Sequence, residues 1–108
     1  MDRRYLPPAT FAAVSAALHL IALPVSGPLL PAALGAMIWA ALAYGLFRAF
    51  RAVAYLAFLM GLFGIIAALS IAMGLPVGLG QWIWFTILAA DGLVAVTLFF
   101  LLWPPRAA

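Results

Sequence analysis

The chain contains no cysteine, which excludes disulfides, thiolate metal sites and lipidated cysteines. Glutamate is also missing, and only two acidic residues stand against five basic ones, all of them arginine. Charged residues make up 6% of the sequence and hydrophobic residues 70%. Long polar segments are missing too, so 108 residues leave no room for a soluble domain or a nucleotide-binding unit beside the apolar runs. A pI near 10.2 would suggest a nucleic-acid partner in a soluble protein. Here the net charge of +3 has a simpler origin. Arginines beside anionic inner-leaflet headgroups are each worth about 1 kcal/mol, and no nucleic acid is expected.

What is present is apolar sequence in four runs, spanning about residues 8–23, 29–47, 52–73 and 79–103. A helix needs about 20 apolar residues to cross a hydrocarbon core of about 30 Å, so each run suffices or nearly does. Arg3 and Arg4 precede the first run, Arg48 and Arg51 separate the second from the third, and Arg106 follows the fourth. The connections 24–28 and 74–80 carry no charge. Short loops bearing Arg stay cytoplasmic. The sequence therefore predicts an all-α polytopic membrane protein: a four-transmembrane-helix, up-down-up-down bundle with both termini inside. It reads as a single integral membrane domain over residues 1–108, in a bacterial inner membrane, with the lipid bilayer as its first partner. The first run has a second reading as a signal peptide, with Arg3 and Arg4 as n-region and Val25-Ser26-Gly27 as cleavage site. Cleavage there would leave the topology of the other three spans unchanged.

Prolines and glycines fall at the span boundaries. Pro7 and Pro8 suit a first helical turn, Pro24 is placed to stop the first helix, and Pro28 and Pro31 stiffen the return. Gly74, Pro76, Gly78 and Gly80 make the second outer loop, and Pro104-Pro105 ends the fourth span. Leu23-Pro24-Val25 and Leu75-Pro76-Val77 form a faint internal repeat that would suit a duplicated helical hairpin. Trp and Tyr concentrate at membrane–water boundaries, so Trp82, Trp84, Trp103, Tyr44 and Tyr55 are expected to be interface anchors. Trp39, near the middle of the second span, has to face a neighbour.

Lipid is as apolar as leucine, so helix association depends on close packing and buried polar contacts. Small residues recur at spacing four: Gly64, Ala68 and Ala72 in the third span, Ala32, Ala36 and Ala40 in the second, Ala9, Ala13 and Ala17 in the first. Each set is expected to pack, with Ile71 turned to lipid. The tight connection 47–51 is expected to make the second and third spans antiparallel neighbours.

His19 and Asp91 are the ionisable side chains expected inside the hydrocarbon. A buried aspartate costs about 2.5–3.5 kcal/mol on insertion scales and turns to the bundle or to a wet cavity. Counting helical rise from the span ends puts the two about one turn apart or less, and small neighbours such as Ala12, Ser15, Ala16, Gly92 and Ala95 give both an inward face. Ser15, Trp39 and Thr86 are their possible hydrogen-bond partners. The pair reads as a structural contact, as a proton-sensitive site, or as a contact to a separate subunit. One histidine without cysteine or a nearby carboxylate cannot complete a metal or haem site within one chain, so no metal or cofactor is expected. No nucleophile–base pattern, phosphate-cradling loop or cofactor fingerprint is visible, so no catalytic residue is assigned and an enzyme is disfavoured.

The size and four-span layout resemble those of the small multidrug transporters. That family depends on a membrane-embedded glutamate in its first helix, which this chain lacks. His19 lies in the corresponding helix without being its equivalent, so no family membership follows. Two functions remain. One is a small inner-membrane accessory or assembly subunit packing against larger membrane partners. The other is a homo-oligomeric proton-coupled transporter or channel using His19 and Asp91.

Overall fold

A computed structural model describes residues 3–25 and 29–104. Arg106 and Pro105, and Ser26, Gly27 and Pro28 of the first connection, lie outside the described residues. A 3-10 turn, Arg3–Tyr5, leads into α1 (Leu6–Val25), followed by α2 (Leu29–Phe47), α3 (Arg51–Gly74) and α4 (Leu79–Leu102). All four helices are long and apolar enough to cross a membrane, and they pack as a bundle. Pro24 does not stop α1. It sits in the last turn, where its missing N–H removes a single rung of the helix ladder.

The four helices do not contribute equally. α1 packs extensively on both α2 and α4, and α4 on α3, whereas α2 and α3 meet only sparsely. The cross-sectional order is therefore α2–α1–α4–α3, curved into a trough, and the short link between α2 and α3 does not make them close neighbours along their length. The Cα envelope, 48 × 27 × 16 Å, has the flattened section that such a row produces. The two hairpins are also used differently, since α1 opens the first and α4 closes the second. The packing does not follow the symmetry that the faint repeat suggested.

The small-residue stripes pack, but not at strict spacing four. Four residues advance 400° around a helix of 3.6 residues per turn, so a constant step of four drifts about 40° each time. In α1 the buried line runs through Ala9, Ala12, Ser15, Ala16, His19 and Ala22, leaving Ala17 exposed and Ala13 half-buried. In α2 it runs Ala32, Ala36, Trp39, Ala43 and Leu46, and Ala40 faces out. In α3, Ala68 and Ala72 are buried and Gly64 half-buried, with Ala54, Ala57 and Gly61 continuing the face. Ile71 is not turned to lipid; it is half-buried against the core beside Ala68 and Ala72.

A polar layer divides the core in two. One cluster joins Tyr5, Leu46, Ala54, Val94, Leu98 and Leu102, among others, near the link between α2 and α3. The second joins Ala22, Ala32, Ala68, Ala72, Ile83, Trp84 and Ile87. The link itself is a Schellman turn. The Phe50 N–H donates to the Gly45 carbonyl (3.1 Å) and the Ala49 N–H to that of Leu46 (2.9 Å), which puts Ala49 at φ 56°. Arg48 and Arg51 flank the turn, each against the tyrosine one helical turn away, Tyr44 and Tyr55 (3.3 and 3.5 Å). At the other end Gln81 donates to the carbonyls of Ala72 (3.0 Å) and Leu75 (3.3 Å), closing the C-terminus of α3.

Candidate functional site

Ser15 and His19 lie one turn apart on the buried face of α1, and Asp91 lies on the facing side of α4. All three are buried, Asp91 to 1% exposure. His19 Nδ1 is 2.7 Å from the Ser15 carbonyl oxygen. A carbonyl only accepts, so Nδ1 carries the proton and, in the neutral ring, Nε2 is left as an acceptor. The Ser15 hydroxyl lies 3.5 Å from Nδ1 and donates to Asp91 Oδ1 at 2.5 Å. His19 and Asp91 thus share a layer with Ser15 between them, and each is joined to Ser15 rather than to the other.

Of the other partners considered, neither Trp39 nor Thr86 reaches Asp91. Thr86 is exposed and donates back to the Trp82 carbonyl (2.8 Å), the usual way a helical hydroxyl satisfies itself. Trp39 is buried in the core one layer away. Trp84, expected at the interface, is instead 2% exposed. Its ring stands edge-on to His19 at 5.4 Å and 89°. An even-spaced pair of tryptophans on one helix sits about 200° apart, so Trp82 and Trp84 cannot share a surface. Trp82 (63% exposed) remains outside. Trp103 is exposed at the arginine end, packed against Tyr55 and Phe58, and Tyr44 and Tyr55 are exposed there too.

The polar layer forms the floor of a cleft of about 440 Å³ between α2 and α3, lined by His19, Gly35, Ile38, Phe63, Gly64 and Asp91 together with Trp39, Trp84 and further apolar side chains. Two glycines shape it. A Cβ on Gly35 would overlap the imidazole of His19 at Cδ2 and Nε2, and one on Gly64 would overlap Asp91 Oδ2. Each ionisable group of the central helices therefore ends against bare backbone of a flanking helix. Asp91 Oδ2 makes no hydrogen bond, alone among the buried side-chain nitrogen and oxygen atoms of the described residues. Among the described residues no three His, Asp, Glu or Cys side chains gather as a metal site would require.

Sequence reasoning found His19, Asp91 and Ser15 but missed Gly35, and it read Gly64 as ordinary packing. The signal was available: glycine inside a helix costs about 1 kcal/mol relative to alanine, so an interior glycine asks for a neighbour that needs the space. No family model matches this chain, and neither a curated protein nor a solved structure matches it.

Proposed function

We propose that this chain is a four-span protein of the bacterial inner membrane, up-down-up-down with both termini cytoplasmic, and that it serves as an accessory or assembly subunit packed against a larger membrane partner. The topology is supported by residues distant in sequence that share one buried cluster: Tyr5, Leu46, Ala54 and Leu102. Arg3, Arg4, Arg48 and Arg51 flank that same end, where the positive-inside rule requires them. Reporter fusions at residues 27, 49, 78 and 108 should alternate out, in, out, in; a periplasmic C-terminus rejects the assignment.

The accessory role is carried by the division of labour on α3. Its fully buried residues are all small, Ala54, Ala57, Gly61, Ala68 and Ala72. Leu56, Leu59, Leu62, Phe63 and Ile66 face outward, a broad apolar wall suited to a neighbouring protein's helices. Purification in a mild detergent should bring down a larger membrane protein in constant ratio. A lone homo-oligomer would instead favour the second reading, a small proton-coupled carrier or channel. The observation behind that alternative is the Ser15–His19–Asp91 layer beneath the open cleft.

A further inference from the structure

We propose that the cleft between α2 and α3 binds an amphiphile from the bilayer and sets its protonated amine against Asp91. Binding requires neither transport nor a partner subunit, so this inference stands apart from both readings above.

The argument begins with what the floor of the cleft offers. Ser15 occupies Asp91 Oδ1 and leaves Oδ2 buried with no donor. An unmet acceptor in an apolar setting is costly, more so when charged, so a donor arriving there is strongly favoured. His19 spends its Nδ1 proton on the Ser15 carbonyl, leaving Nε2 as a second acceptor. Both acceptors reach the cleft wall only because Gly35 and Gly64 lack side chains. A ligand therefore has to bring donors, and an ammonium carries three. Its charge also offsets that of the carboxylate, which a neutral hydroxyl cannot do.

The rest of the cleft selects the body of the ligand. Trp39, Trp84 and Phe63 line it with Ile38, Met60 and Leu34, giving a largely apolar wall for methylenes. Its volume of about 440 Å³ falls in the range of about 300–1,000 Å³ usual for small-molecule sites. Because α2 and α3 meet only sparsely, a tail longer than the cleft has a way out between them into lipid.

The test uses the full chain in phosphatidylcholine nanodiscs with radiolabelled dodecylamine as probe. Wild type should bind it saturably at one site per chain, with unlabelled dodecylamine competing and dodecanoate failing to compete. Asp91→Asn keeps the shape while removing the charge, and should weaken binding by more than about tenfold, the range set by hydrogen bonds to charged groups. Its thermal melting in the same discs shows whether it folds. Ala67→Phe fills the cleft from its wall while leaving Asp91 in the sequence and should abolish binding; it decides the matter if the Asn variant does not fold. The proposal is overturned by wild-type affinity in Ala67→Phe or in a folded Asp91→Asn, by competition from dodecanoate equal to that of the amine, or by the lack of saturable binding to wild type.

Discussion

The two halves of the bundle are closed differently. At the arginine end α2 contributes Trp39, Leu42 and Leu46 to the core and α4 contributes Val94, Leu98, Leu101 and Leu102. Together they fill the space between the helices. At the other end α2 supplies Ala32 and Ala36 and α1 supplies Ala22, so that Ile83, Trp84 and Ile87 of α4 carry most of the volume. The trough stays open there, and the cleft is the result. Apolar character alone does not set how tightly helices close. Side-chain volume on α2 does.

The largest effect that would sharpen this contrast is expected from paired truncations. Leu98→Ala, in the filled half, should cost about 2–5 kcal/mol through the cavity it leaves. Leu34→Ala, exposed on the wall of the cleft, should stay within about 0.5 kcal/mol of wild type. Equal losses in a denaturant titration in mixed micelles would mean that both halves are packed alike.

Next in size is the layer between the halves. Asp91→Leu removes the acceptor of Ser15 and should destabilise by about 1.5–3 kcal/mol, whereas Asp91→Asn retains an acceptor and should be much milder. If Leu and Asn give the same melting temperature in detergent, the Ser15–Asp91 bond is not holding α1 to α4.

Overfilling the open half tests it from the opposite side. Ala68, 1% exposed against the cluster of α4, should accept leucine only at a cost of about 1–3 kcal/mol. A neutral Ala68→Leu would show that the α3 face can spread into the cleft.

The smallest effect concerns the link at the closed end. Ala49 adopts φ 56°, a left-handed conformation that costs an alanine roughly 1–2 kcal/mol and a glycine little. Ala49→Gly should raise stability by about 1 kcal/mol, visible as a higher midpoint in the same titration. A lower midpoint would mean that the alanine is held by contacts glycine loses.

Much of this architecture is legible in the chain. Runs of apolar residues separated by proline, glycine and arginine locate the helices to within two residues at most ends, because chain reversal demands those residues. Which face of each helix turns inward is less legible, since α2 and α3 are hydrophobic all round and alanines sit on both sides, Ala36 inside and Ala40 outside. Trp84 shows the same difficulty. Its neighbours in sequence mark a boundary, but its angular position on α4 brings it against His19 on α1. The polar layer could be anticipated because ionisable groups in hydrocarbon have few places to go. Its bridge through Ser15 depends on how close α1 and α4 approach, and the glycines that admit it on the approach of α2 to α1 and of α3 to α4; spacing within one helix carries no such information.

The bridge also has a consequence for how the protein is made. Thr10, Thr86 and Thr97 each donate to a carbonyl one turn back in their own helix, so they are complete as soon as that helix forms. Ser15 instead donates to a residue 76 positions later. At about 5–20 residues per second, α1 waits about 4–15 s for α4 to emerge. During that interval Ser15 can shelter by bonding back along α1, as the threonines do. Asp91 carries no donor to do likewise while ionised and depends on α1 being in place when it arrives. Assembly of this small bundle is thereby given an order: the first helix has to stay within reach until the last one emerges.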